Sequence, residues 1–270
     1  TEENTLSLHD ALPICLLLNS KSARFPDGLA NRSGLVGKNL MLHPWGLISG
    51  VFDAPLASRF GPAGCCILSQ QFYETDLSRG FVRGYNLQIT RGSGPVTTAR
   101  TGLTRGQIPW GAGHHEAFAR RYNHTVNIGV CCEDLPDVNN TVTLDPDLTD
   151  SHGIPAPKVT YRLDENSRRM LQHGLDRGSE VMTAAGATDI YTEGPIRLAG
   201  WHLLGTARMG TDPQRSVVNE WGRCHDVRNL FIVDGSVFVT SGGVNPTSTI
   251  QAVALYIADA MKQRLANLFD

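Results

Sequence analysis

The chain has 270 residues, 41% of them apolar, and 24 basic against 26 acidic side chains leave a formal charge of -2. That length allows one large domain or two modest ones. The charge balance removes the electrostatic case for nucleic acid or an anionic membrane as main partner. No apolar run approaches the roughly 18 residues of a membrane helix, so the sequence reads as soluble.

The first fourteen residues, TEENTLSLHDALPI, lack the parts of a signal peptide, and SLHDALPI resembles a translated sequencing adapter. Residues 1–14 are therefore expected to be non-native, with native sequence starting near Cys15 and an N-terminal part missing. CLLLNS reads as a strand end or a buried helix turn, and the stretch up to Pro44 carries the Gly and Pro of a looping connection. WGLISGVF, GCCILSQQFY, GYNLQIT and HTVNIGVCCE are short apolar runs between turn residues, which predicts antiparallel strands. TVTLDPDLTDSHGIPAPKVTYRL predicts two more around Asp-Pro and Gly-Ile-Pro turns. After Asp164 as N-cap, Leu171, Leu175, Gly178, Met182 and Ala185 form one helical stripe, stopped by Gly186. Leu230 to Val233 reads as a strand buried on both faces. A glycine-rich loop and an amphipathic helix from about Thr247 follow, an order that presents helix N-terminal amides to a ligand.

Several sites are excluded first. The six cysteines, Cys15, Cys65, Cys66, Cys131, Cys132 and Cys224, match no disulfide framework or metal spacing, and most read as small buried hydrophobes. His114, His115 and Glu116 lack a following ligand pair and read as a solvated loop; no metal site is expected. There is no GxSxG elbow and no Walker loop. GSG at Gly92 to Gly94 lacks the third glycine of a dinucleotide fingerprint, and Pro95 is expected to disrupt a helix start there.

WHLLGTARMG, DGSVF and GGVNP remain, spread over Gly200 to Met261. A histidine between Trp201 and Leu203 would alone be a core residue. Asn245 alone would be a turn or cap residue. Their joint spacing resembles the C-terminal signature of glucose-methanol-choline (GMC) oxidoreductases, in the gluconate-dehydrogenase-like and pyranose-oxidising branch. The similarity extends loosely upstream to LLLNS, so residues after 14 resemble the C-terminal half of such an enzyme.

The resemblance implies an α+β (mixed) fold: part of an FAD-binding doubly wound domain, from residues 15–42 and 195–270, and an antiparallel-sheet substrate domain at 43–194. It implies FAD as cofactor and oxidation of a primary or secondary alcohol, a sugar or polyol, by proton abstraction and hydride transfer. His202 matches the histidine at the reactive flavin edge and Asn245 the second catalytic position. Asp234, Gly235, Asn245, Pro246 and Thr247 match cofactor-binding positions. Thr206, Arg208, His43 and His225 are read as structural, with Thr206 and Arg208 bonding loop carbonyls. A neutral imidazole, with ordinary pKa near 6.5, takes a hydroxyl proton with little penalty, and an amide donates to a developing alkoxide without adding charge. The family's GxGxxG loop is absent from this sequence, so the chain alone is expected to bind FAD weakly and to be inactive. A noncatalytic carbohydrate-binding module and one half of a split flavoenzyme stay open as alternatives. The sequence assigns no electron acceptor and no compartment.

Overall fold

A computed structural model describes residues 8–60, 64–196 and 201–263. The chain divides into two compact units. One gathers the described residues of Thr1–His43, Glu133–Asp164 and Leu198–Asp270; the other comprises Pro44–Cys132 and Glu165–Arg197. Glu133–Asp164, placed by the sequence reading inside the 43–194 segment, thus groups with the terminal stretches. The fold is mixed, with helices and antiparallel sheet, and no described helix is long and apolar enough to cross a membrane.

The second unit is built on a five-stranded sheet. Its strands are β1 (Trp45–Val51), β2 (Cys65–Ser69), β3 (Tyr85–Thr90), β4 (Thr125–Cys132) and, later in the chain, β7 (Asp189–Glu193). Their order is β2-β3-β4-β1-β7, every pairing is antiparallel, and β1 meets β4 from Trp45↔Cys131 to Val51↔Thr125. Alternation sends Ile48, Leu87, Ile128 and Val130 to one face. The long helix α4 (Glu165–Ala184) covers that face with Met170, Leu171, Gly174, Leu175, Gly178 and Met182. The approach is close because glycines lie on both sides. A Cβ on Gly46 would come within 2.9 Å of Leu175, one on Gly50 within 2.7 Å of Met182, and one on Gly174 would strike Val130. The helical stripe ends at Met182; Ala185 lies beyond the helix and is exposed.

The opposite face of this sheet is polar yet buried. Asn86 is fully enclosed, and Gln88 and Ser49 nearly so. Ser49 donates to Asn127 Oδ1 at 2.7 Å and Gln88 to Asn86 Oδ1 at 3.2 Å, while Asn86 Nδ2 has no partner. Helices α2 (Pro95–Thr104) and α3 (His114–Arg121) connect β3 to β4. Two expectations are corrected here. Pro95 starts α2 instead of disrupting it, because the first helical position needs no N–H. His114 and His115 open a short helix instead of a loop, with Glu116 in its first turn and Arg120 and Arg121 in its last. No metal-binding cluster occurs among the described residues. All six cysteines are free thiols; Cys131, Cys132 and Cys224 are buried, but Cys65 and Cys66 on edge strand β2 are exposed.

In the first unit CLLLNS is helical: α1 spans Leu8–Asn19, starting inside the segment expected to be non-native, and its Ile14 is fully buried. β5 (Thr141–Thr149) and β6 (Pro155–Thr160) form a hairpin in the register Thr141↔Thr160. Its turn is closed by Asp150, whose carboxylate accepts the N–H groups of His152 and Ile154. The core joins Ile14, Leu17, Leu40, Val142, Leu203, Val218 and Ile232. The expected strand at Leu230 to Val233 is corrected to a single bridge, Arg223↔Phe231, and Val233 is exposed. An apolar run becomes a strand only beside a partner backbone, and no described strand lies along this one. The final helix, α5 (Thr247–Gln263), forms as expected; of its stripe only Ile257 is fully enclosed.

Candidate active site

The site begins with two crossing stretches of irregular chain. Met41 and Leu204 exchange backbone hydrogen bonds at 3.0 and 3.1 Å in an antiparallel bridge. Two residues outward in that register, His43 faces His202. Their rings stand 5.0 Å apart, edge to face at 78°. The crossing is fixed on both sides, since Gly37 N–H donates to Thr206 O and Leu40 N–H to Asn140 O. Gly205 makes it possible. Its φ is +91°, and a Cβ there would collide with the carbonyl of Asn39.

His202 has φ +60°, a left-handed conformation uncommon for a residue with a side chain. The residue is half-buried, and its Nδ1 is enclosed without a hydrogen-bond partner. Burial lowers its pKa below the ordinary imidazole value, so the neutral ring is favoured. Backbone strain and an unsatisfied ring nitrogen at one residue are what a reactive base would show.

Asp234 and Gly235 run alongside. Gly205, Ala207 and Met209 N–H groups donate to the carbonyls of Gly235, Ser236 and Val237. Asp234 Oδ1 accepts the Ser236 N–H at 2.8 Å and caps the 3-10 turn Gly235–Val237. Gly235 sits between His202's neighbours and the last helix: a Cβ there would meet Leu203 O at 3.0 Å and Ile250 at 3.2 Å. Through this contact the start of α5 is drawn beside the histidine segment. Pro246 is buried, whereas Asn245 and Thr247 are exposed at the helix entrance.

Sequence reasoning missed two members of this arrangement. His43 was read as structural, and only the Met41↔Leu204 register reveals its neighbour. Asp134 is buried; its carboxylate accepts Leu42 N–H at 3.0 Å and Tyr161 O–H at 2.8 Å, and burial pushes its pKa up to about 6. No motif marks it. Arg208 differs from expectation: its carbonyl accepts Val217 N–H, while its side-chain Nε is buried without a partner. Thr206 likewise acts through its backbone. His225 is structural, its Nε2 within 2.9 Å of Ser216 Oγ and 3.2 Å of Gly210 O.

Residues 136–254 match the family model described as GMC oxidoreductase. The chain is 41% identical over 257 residues to the 2-methyl-1,2-propanediol dehydrogenase of Mycolicibacterium austroafricanum, covering 94% of this chain and 47% of that protein. It is 34% identical over 249 residues to the fructose dehydrogenase large subunit of Gluconobacter japonicus, covering 91% and 44%. Among solved structures, a formate oxidase of Aspergillus oryzae superposes with a TM-score of 0.54 at 17% identity, over 87% of this chain and 48% of that one. That likeness concerns the fold alone. The chain spans a little under half the length of these curated relatives. The curated relatives it matches are named as oxidoreductases. Residues 136–254 thus match the C-terminal domain of GMC oxidoreductases, and nearly the whole chain resembles one half of such a protein.

Proposed function

We propose that this chain carries the substrate-oxidising residues of an FAD-dependent alcohol oxidoreductase acting on a primary or secondary alcohol of a sugar or polyol. The observation that supports it most is His202: a desolvated, left-handed imidazole with an unpartnered Nδ1, edge-on to His43. The two relatives named for a diol and for fructose favour a polyhydroxylated substrate.

The residues present fit a flavin edge. His202 brings an unsatisfied buried nitrogen, and α5 brings an exposed entrance at Asn245 and Thr247. Asp234, Gly235, Asn245, Pro246 and Thr247 would hold FAD, with the partial positive charge of the α5 N-terminus favouring negative charge nearby. Bound FAD supplies a hydride acceptor. The chain's own work is to move a proton and hold an oxygen. Neutral His202 accepts the hydroxyl proton as the carbinol carbon loses hydride, and the Asn245 amide donates to the developing alkoxide. In this reading the sheet unit is the substrate domain, and the unit carrying His202 and Asn245 contributes to flavin binding.

The test joins the chain to a flavin-binding segment carrying a GxGxxG loop and replaces His202 with Ala. Flavin bleaching by substrate without oxygen should slow by about 10²- to 10⁴-fold; an unchanged rate removes the assigned role. The 270-residue chain alone should purify without stoichiometric flavin absorbance.

A further inference from the structure

The sheet unit holds a cavity of about 230 Å³ between the polar sheet face and α2. Its wall is hydroxyl- and amide-rich, includes the guanidinium residues Arg105 and Arg121, and contains no Asp or Glu. The charges nearby are unevenly matched. Arg105 Nε pairs with Glu193 at 2.6 Å, and Arg120 pairs with Asp53 at 2.7 Å and Asp189 at 3.1 Å. Arg121 is only 7% exposed, and its hydrogen bond runs to a neutral acceptor, Gln107 Oε1, at 2.6 Å. Its guanidinium lies 4.6 Å from the centre of the Tyr191 ring. No carboxylate forms an ion pair with Arg121 among the described residues.

A buried cation is stabilised by an anion, and a guanidinium presents a fork of donors suited to an oxyanion. A cavity wall without acids leaves room there for the oxyanion of a ligand. The entrance of α2 lies on the same wall: Gly94 supplies no side-chain cap, and Ser93, Thr97 and Thr98 line the cavity. Uncapped first-turn amides add to an anion's attraction there. Burial lowers the Arg121 pKa, against the smaller opposing pull of Tyr191 and Asp189.

We propose that this cavity binds a small polyhydroxylated anion, with its oxyanionic group on Arg121 and its hydroxyls on the Ser, Thr and Asn side chains of the wall. A carboxylate and a phosphate share that chemistry. The proposal does not rest on the redox reading.

The full chain, without flavin, is titrated at constant ionic strength with gluconate, glucose 6-phosphate and uncharged glucose, followed by amide NMR shifts and calorimetry. Saturable binding of at least one anion is expected, at least tenfold tighter than glucose, with shifts centred on Thr97, Thr101 and Arg121. Preference for gluconate or for the phosphate identifies the oxyanion. Arg121→Gln should weaken binding by tenfold or more. Thr101→Asp, which sets an internal carboxylate on the cavity wall, should do the same while keeping the fold, so a misfolded Arg121 variant does not spare the proposal. No saturable binding by either anion, equal binding of glucose, or unchanged affinity in the Thr101→Asp protein would overturn it.

Discussion

Ser241 Oγ bridges both main-chain groups of Asp134, accepting its N–H at 2.6 Å and donating to its carbonyl at 3.1 Å. The carboxylate of the same Asp134 holds Leu42 N–H, next to His43. One buried residue thus ties the loop leading to Asn245 to the stretch bearing His43. This places a titratable group under the candidate site, with a pKa raised to about 6 by burial.

Asp134 should make stability pH-dependent in an unusual direction. Its folded pKa lies above the unfolded value, so between about pH 4 and 6 the folded state keeps a proton that the unfolded chain has lost. This contribution is therefore greatest below about pH 4 and falls as pH rises to about 6, by about 3 kcal/mol for a shift of this size. Urea midpoints from pH 4 to 7.5 should show that slope for the wild type and not for Asp134→Asn. Parallel profiles would refute the assignment.

His202 should titrate below the ordinary imidazole value, since burial disfavours its cation. The sign is opposite to that of Asp134. The folded ring binds fewer protons than the unfolded one, so this contribution is present above the unfolded pKa and is lost as pH falls through the folded one. Histidine side-chain NMR should give a midpoint below 6.5, and a higher one would contradict the desolvated site.

The left-handed backbone of His202 gives a separate stability test. Replacement by Gly relieves the strain that Ala retains, so His202→Gly should be about 1 kcal/mol more stable than His202→Ala. Equal unfolding midpoints would mean that φ +60° is not strained here.

Two glycine substitutions should separate the units. Gly205→Ala sets a Cβ against the Asn39 carbonyl in a left-handed turn, and should destabilise the crossing that aligns His43 with His202 by about 3 kcal/mol. Gly174→Ala improves helix propensity by about 1 kcal/mol, yet should still lower stability by about 1–3 kcal/mol because its methyl strikes Val130. Hydrogen exchange should report the first loss around residues 37–43 and 202–207, and the second in α4 and β4.

Local pattern made much of the fold readable. Alternating short runs located β1, β3 and β4, and the repeat of three and four residues located the buried stripe of α4. Pattern failed where the outcome depended on a distant backbone. Leu230 to Val233 has the composition of a central strand but gains one bridge, and the sheet face with Asn86 and Gln88 is buried although it alternates as a solvated face would.

The sequence alone determined the sheet segments, the terminal helix and the family motifs around His202, Gly235 and Asn245, because each rests on spacing along one stretch of chain. Only the tertiary structure decided that His43 faces His202, that Asp134 links residues 42, 161 and 241, and that Arg121 is enclosed against Gln107. Those relationships arise from register and burial between residues tens to more than a hundred positions apart. Which backbone pairs with which, and which charge loses its water, are set when the chain closes on itself.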